Sequence, residues 1–553
     1  MDTGYRVIER ERVALAGAAY LRDESKIIIA EPQAALKIVF PGTTEELEEI
    51  TAKAFETGIP VRVQGWRSGL AGGCVPRMGR DKRPEVVISM EEFLTVPDVS
   101  GFEKVTKPIE TDTLGTRQIT YAVNDDGSEV LLPAGVTLKE RKEILARAGR
   151  MFPVQPTDQG ASFGGNVKTN ASGLEAAFGS TRDWVTRLGQ VLASGARMDL
   201  ARGARTEKPD SVALATGAGE TLHLDVPTYR WRENLKNSSG IFTGPGSYPF
   251  DLFVGDEGAL SICAYAGIRT LPKRTGAGED VWTGVIFFDD PYKALDFVVE
   301  AASDYGLRNG AELVSLDGDG LGIVGIDWIG GGGLELAQRF LDKQEVKRKI
   351  PSAAKVALEV GLLMHDEKTA ENVMGLMSKY DVLEDNWFDP DAVDTVRALR
   401  HSVPVQINER SCRKVGTDCA VPLDKLFEMH RYWERESARY ARYRENRGIP
   451  GPHVVEIGHP FNGHMHYNAL TADESDYAEA RILQGDAIRF AVCSGGVPSG
   501  EHGLGAKTAL VQGREIPLMQ SVYGEKALFD VQKIKKQAGS ADLNRGVMVP
   551  LEY

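Results

Sequence analysis

A chain of 553 residues is too long for one hydrophobic core, so at least two domains are expected. With 42% hydrophobic and 26% charged residues its composition is globular, and a net charge of -14 argues against nucleic acid or anionic lipid as its main partner. Residues 1–12 carry no apolar segment of the secretory kind, and no run of about 18 apolar residues offers a transmembrane segment. The five cysteines (Cys74, Cys263, Cys412, Cys419, Cys493) are scattered, without the spacing of an iron–sulfur site, and suit a reducing compartment. The expected location is the cytoplasm, in solution or peripheral to the inner membrane.

In chain order, Thr43 and Glu46 predict a capping box opening a helix, with Leu47, Ile50, Ala54 and Phe55 on its apolar face. Gly58 ends it, and 59–63 is a short strand. A stretch with glycines at 65, 69, 72 and 73 follows, with Ser68 and Leu70 among them. Such a loop either turns backbone N–H groups toward an anion or is an ordinary turn. Residues 77–128 look like a loop-rich excursion. A strand over 130–136 leads to a second capping box, Thr137 and Glu140, with Leu138, Ile144, Leu145 and Ala148 on the buried face. Next comes a segment dense in glycine and small polar residues, 153–173, able to lay a hydrogen-bonding backbone along a flat ring. A buried strand over 188–193 follows, and later a strand–turn–strand over 251–262 around Glu257 and Gly258.

In the second half, a strand over 281–288 precedes a helix opened by Asp290 and Pro291, with Ala294, Leu295, Val298 and Ala301 inward. Further strands are read at 312–316 and 355–363, a helix at 367–380, and a flexible loop at 330–333. The rhythm implies an α+β domain with helices on one side of a sheet. A helix is expected over 528–536.

The densest chemistry lies between residues 454 and 505, which hold four of the nine histidines. Strands are read at 454–457 and from 464 to 469, with turn residues between. Alternation puts His464, His466 and Asn468 on one face, with His459 at its edge. Glu501 and His502 stand among Gly500, Gly503 and Gly505. Two imidazoles and a carboxylate are a common set for zinc or manganese, and a further histidine is a candidate base. A hydrogen-bonded histidine cluster fits the spacing equally well.

The segments Gly-His-x-x-x-Gly-x-x-His-x-Asn (458–468) and Ser-Gly-Glu-His-Gly-x-Gly (499–505) resemble the FAD-linked 2-hydroxy-acid dehydrogenases. This is the group of D-lactate dehydrogenase, the glycolate oxidase flavin subunit and D-2-hydroxyglutarate dehydrogenase, within the vanillyl-alcohol-oxidase type of flavoprotein. The loop at 64–76 resembles that family's pyrophosphate loop, although Gln64 replaces an arginine and Trp66-Arg67 replace two small residues. Arg67 either neutralises phosphate or blocks its approach. The 153–173 segment resembles the family's Gly-Gly-Asn signature, 178–183 its Tyr-Gly-x-x-Arg-Asp, and 251–262 the stretch along the adenosine.

The resemblance implies an α+β protein in three parts. These are a two-part FAD-binding domain of the vanillyl-alcohol-oxidase (PCMH) type over 1–275, an α+β cap with antiparallel sheet over 276–510, and a segment over 511–553 that returns to the flavin. It implies flavin contacts at Gly65, Ser68, Gly69, Leu70 and Gly72. In the second loop it implies Pro156, Thr157, Gly160, Gly164, Gly165, Asn166, Thr169, Asn170 and Gly173. Farther on come Glu257, Gly258, Ile262 and Asn544. The first 222 residues contain no histidine, so the FAD is expected to be non-covalent. A divalent metal, zinc or manganese, is implied on His459, His466 and Glu501, with His502 as base. Arg400, Lys414 and Asn468 are implied for the substrate. Asn462 and His464 replace the family's Asp and Asn, and His464 is an extra ligand or base.

The expected activity is FAD-dependent oxidation of a small, D-lactate-like 2-hydroxy acid to the 2-oxo acid. The expected acceptor is a quinone, a cytochrome or electron-transferring flavoprotein, and a homodimer is allowed for. Rivals are an enzyme like alkyl-dihydroxyacetonephosphate synthase, disfavoured because Glu501-His502 stand where that group has consecutive histidines, and a zinc hydrolase built on His464 and His466.

Overall fold

The computed structural model describes residues 4–25, 27–173, 175–273, 282–305, 323–362, 367–383, 386–387, 393–413 and 415–551, with the side chains of 282, 304–305, 367–370, 393–398, 400 and 401 excepted. A small sheet comes first, in the order Arg6–Glu9, Ala35–Phe40, Glu85–Ser89, Val61–Gln64, with the last three parallel. Helix Thr44–Glu56 connects two of its strands. Thr43 accepts the Glu46 N–H at 3.2 Å, but Glu46 takes the Gly42 N–H at 2.7 Å, so the expected capping box is only half formed. Leu47, Ile50 and Ala54 are buried as expected, while Phe55 is 52% exposed. The second capping box, Thr137 with Glu140, is complete and opens helix Leu138–Arg147.

A six-stranded antiparallel sheet runs Arg197–Ala201, Val185–Leu192, Ser261–Arg269, Glu129–Pro133, Gly115–Val123, Glu103–Thr111. Its last two strands correct the reading of 77–128 as loop. They form a hairpin, and the small sheet takes Glu85–Ser89 from the same stretch. The hairpin escaped notice because Glu103–Thr111 buries only Ile109 and Thr111 among Lys, Glu and Pro, the composition of a protected edge.

The second half is built on a seven-stranded sheet, antiparallel in every pair: Trp282–Phe288, Val356–Leu362, Ile323–Gly331, Val454–His459, His464–Ala469, Val415–Gly416, with Cys419–Ala420 also on His464–Ala469. Helix Pro291–Tyr305 buries Ala294, Leu295, Val298 and Ala301 completely. The strand expected at 312–316 lies outside the described residues. The glycines at 330–333 are not a loop. They end strand Ile323–Gly331 and start helix Gly332–Lys343.

The C-terminal segment runs back to the first sheet after helix Glu525–Gln537. Val61 N–H donates to Asp542 O at 2.9 Å, and Asn544 N–H to Val61 O at 2.8 Å. Beneath this joint, Arg62 and Glu85 form a wholly buried two-pronged ion pair at 2.8 and 2.9 Å. Arg62 also donates to Gly73 O and Arg545 O. One buried guanidinium thereby ties the glycine-rich loop to the C-terminus.

Candidate active site

Two cavities meet at the histidine cluster. The narrower, about 330 Å³, runs between the two glycine-rich loops of the first half. The wider, about 1380 Å³, opens between the halves. They share Trp66, Ser68, Leu70, His459, Glu501 and His502 in their walls.

The narrow cleft gathers residues from four remote segments. From the first loop come Gly65, Ser68, Gly69 and Leu70, and from the second Pro156, Thr157, Gly164, Gly165, Asn166, Thr169 and Gly173. Glu257, Gly258 and Ile262 line its side, and Asn544 closes it. Two buried polar groups in this wall have no partner in the protein, the Asn166 side-chain N–H2 and the Ser172 hydroxyl. A long, small-residue cleft with unspent donors fits a dinucleotide.

Three of the expected contacts stand outside this cleft. Gly160 lines only the wider cavity. Gly72 donates its N–H to Asp23 at 2.7 Å. Asn170, left-handed at φ 51°, ends helix Phe163–Thr169 and accepts the Arg182 N–H at 2.8 Å. Arg67 is committed elsewhere: it pairs with Glu91 and lies over the Tyr20 ring at 4.2 Å.

Asn544 and Glu257 have acquired bracing work. Asn544 accepts the Val63 N–H at 2.8 Å and donates to Gly258 O at 2.9 Å. Glu257 accepts the N–H groups of Leu504 and Gly505 at 2.7 and 2.8 Å, tying the Glu501–His502 loop to the flavin side. Burial raises its carboxyl to about 7, although both N–H groups pull the other way. Gly503, at φ 78°, has to be glycine: a Cβ there would meet the Glu257 carboxylate carbon at 2.7 Å.

The histidines are delivered by a tight hairpin. Val454–His459 and His464–Ala469 pair with His459 opposite His464 and Ile457 opposite His466. The rings of His464 and His466 are 4.4 Å apart, and those of His459 and His464 5.4 Å apart. Glu501 reaches in from the distant loop, its Oε1 3.0 Å from His466 Nε2 and its Oε2 3.6 Å from His459 Nε2. The His502 ring stacks on His466 at 4.9 Å. Ligand atoms of His459, His464, His466 and Glu501 all lie within 4.8 Å of one another.

Each ring is held by its outer nitrogen. Asp327 takes His459 Nδ1, and Thr417 O stands 3.3 Å from His466 Nδ1. A carbonyl only accepts, so His466 Nδ1 carries the hydrogen and its Nε2 presents a lone pair toward Glu501. Two lone-pair donors facing each other require a cation or a proton between them. This donor set fits a divalent metal, with carboxylate and carbonyl partners behind the imidazoles.

The electrostatics separate three of the rings. Burial would lower His459, but Asp327 raises it above its usual value. Burial and then Lys236 push His464 down to about 3. Burial holds His502 well below its usual value despite Asp418 nearby, so its imidazole is neutral at physiological pH. Burial would raise Glu501, but Lys236 and the histidines hold it well below the usual carboxylate range.

The structure adds residues that sequence reasoning missed. Asp418 accepts from His464 Nε2 at 2.8 Å and from the His502 backbone N–H at 2.8 Å, and it faces His502 Nδ1 at 3.4 Å. Its one local signal is the Asp-x-x-x-Pro pattern that it opens and Pro422 closes. Asp327 and Lys236 left no pattern, since each arrives from a segment far away in sequence. Lys507 also lines the wider cavity. Asn468 is there too, its amide N–H on His466 O at 3.2 Å. Arg400 belongs to helix Val393–Arg410, but its side chain, like the whole of Lys414, lies outside the described residues.

Comparison with known proteins agrees with this architecture. Residues 114–201 match the family described as FAD binding domain, and residues 320–535 match FAD linked oxidases, C-terminal domain. The first match takes in strand Gly115–Val123, part of the stretch read as a loop-rich excursion. A D-lactate dehydrogenase of Archaeoglobus fulgidus is 28% identical over 88% of this chain and 87% of its own. The mitochondrial D-2-hydroxyglutarate dehydrogenase of Rattus norvegicus is 22% identical over 89% of this chain and 76% of its own. Among solved structures, alkyldihydroxyacetonephosphate synthase has the same fold, with a TM-score of 0.54 at 14% identity over 83% of this chain and 71% of that one. The molecule is therefore a flavoprotein oxidoreductase with a two-part FAD-binding domain and an α+β cap. Within that class, its second half matches the FAD-linked oxidases over residues 320–535.

Proposed function

We propose that this protein oxidises a small 2-hydroxy acid of the D-lactate type to the 2-oxo acid. The observation that carries the reading is the meeting of His459, Glu501 and His502 in the wall shared by the narrow cleft and the wider cavity, with His466 beside them in the wall of the wider one. The relatives' names point the same way.

FAD, bound non-covalently along the narrow cleft, would supply the acceptor for the hydride that leaves C2 of the substrate. A zinc or manganese ion on His459, His466 and Glu501 would supply a Lewis acid for the substrate hydroxyl. The protein's own part is proton transfer and orientation. His502, kept neutral by burial, accepts the hydroxyl proton at Nε2, because Nδ1 faces Asp418 at 3.4 Å. Asp418 then stabilises the imidazolium. Asn468 orients the substrate, and Arg400 with Lys414 holds its carboxylate in a charge-assisted grip. Loss of hydride and proton leaves the 2-oxo acid, and a quinone, cytochrome or electron-transferring flavoprotein takes the electrons onward.

The test is an anaerobic screen of D- and L-2-hydroxy acids for bleaching of the flavin spectrum, with and without chelator. Bleaching by a D-2-hydroxy acid that is lost after chelation supports the reading. Bleaching untouched by metal removal sinks the metal's role, and no bleaching by any 2-hydroxy acid sinks the activity.

A further inference from the structure

Lys236 reaches the histidine cluster from the wall of a separate cavity, which also takes in Asn462 and Gly500. Its ammonium donates to Glu501 Oε2 at 2.6 Å and to His464 Nδ1 at 3.1 Å, with 6% of the side chain exposed. The loop that carries it is fastened to the Glu501 loop at several points. Ser238 N–H and the Ser239 hydroxyl donate to Ser499 O at 3.0 and 2.9 Å, and the Ser238 hydroxyl donates to Gly500 O at 2.9 Å.

Hydrogen-bond chemistry fixes the direction of every bond in this chain. An ammonium has three donors and no acceptor. His464 Nδ1 must therefore accept, so its hydrogen lies on Nε2, where it donates to Asp418 Oδ1 at 2.8 Å. The sequence of contacts is Asp418, His464, Lys236, Glu501, and both nitrogens of His464 are used. His464 Nδ1 nonetheless stands only 3.9 Å from Glu501 Oε2, within the span of a fourth metal ligand. Three imidazoles and a carboxylate would make a closed tetrahedral site, whereas catalytic sites keep one position open.

We propose that Lys236 occupies the lone pair of His464 and so keeps this ring out of the metal's coordination, leaving a three-ligand site open to substrate. The inference rests on the metal reading above. It also assigns His464 a role distinct from a ligand or a base: it positions Lys236, which in turn holds Oε2 of Glu501. Removing Lys236 takes away a like charge beside the dication and frees a third imidazole. Both changes favour the metal, and both close the site.

The experiment is X-ray absorption spectroscopy on the zinc-loaded flavoprotein, with zinc affinity measured by competition against a chelator. The wild-type protein should show two imidazoles. Lys236→Met should show three and bind zinc at least about tenfold more tightly, the scale of effect of groups behind the ligands. In Lys236→Met/His464→Asn the third imidazole and part of the gained affinity should disappear. Retention of FAD, read from the visible spectrum, reports that each variant is folded. Should Lys236→Met fail to fold, the wild-type count and His464→Asn, expected to keep two imidazoles, decide the matter. Three imidazoles in the wild type, or a folded Lys236→Met unchanged in count and affinity, overturns this proposal alone. No zinc on any of these proteins overturns the metal reading and this proposal together.

Discussion

The narrow cleft and the histidine cluster share a wall but are assembled in opposite ways. The cleft is made mainly of backbone. Two contiguous glycine-rich loops supply most of it, and the side chains near it, such as Arg62, Asn544 and Glu257, act as braces. The cluster is made of side chains from Lys236, Asp327, Asp418, the hairpin at 459–466 and the loop at 501–502, no two of these segments adjacent in sequence. A backbone cradle tolerates the loss of single side chains at its surface but not of its braces. A side-chain cluster fails at whichever member does the chemistry.

That contrast yields graded expectations. The largest effect belongs to the cluster. His502→Ala should slow anaerobic flavin bleaching by about 10²–10⁴-fold, the usual worth of a general base, while FAD stays bound and the visible spectrum is kept. A wild-type bleaching rate would remove His502 from the proposed chemistry. Next comes the deepest brace. Glu85→Ala strands the buried Arg62 guanidinium and should cost about 3–5 kcal/mol in denaturant unfolding, with weakened flavin binding, since Arg62 also holds Gly73 O and Arg545 O. Unchanged stability would mean that the joint relaxes without loss.

Asn544→Ala removes two hydrogen bonds, one from Val63 in the strand that leads into the first loop and one to Gly258. It should cost about 1–3 kcal/mol and loosen FAD, as measured by flavin release on dilution, without changing the bleaching rate of the fraction still loaded. A changed rate in that fraction would blur the division between cradle and cluster.

The smallest change, at acid pH where the carboxyl is neutral like the amide, is expected of Glu257→Gln. Burial raises the Glu257 carboxyl from 4.5 to about 7 in the folded protein, so folding favours its neutral form. Its contribution is complete below about pH 4.5 and is lost as pH rises through about 7. Relative to wild type, Glu257→Gln should therefore flatten the dependence of stability on pH across that window, seen as a melting temperature that falls less from about pH 4.5 to 7 in the variant than in the wild type. An identical pH profile for the two proteins would show that the carboxyl titrates as freely folded as unfolded.

The sequence by itself determined much of this. Turn chemistry, capping residues and alternation located the hairpin of histidines, where strand His464–Ala469 begins and ends as read. Glycine spacing located both flavin loops, because a backbone that must approach another group closely needs glycine locally, and local need leaves a local mark. The hairpin at 103–123 was illegible because an edge strand exposes charged side chains and shows little alternation. The glycines at 330–333 misled because their demand was set by a neighbouring strand: a Cβ on Gly332 would meet the Val454 carbonyl oxygen at 2.6 Å.

Only the tertiary structure decided which groups stand behind the histidines. Asp327, Asp418 and Lys236 look like ordinary charged residues along the chain. Their meaning comes from burial beside one another, where each charge has to be answered within a few ångströms by a segment the sequence places between 46 and 265 residues away.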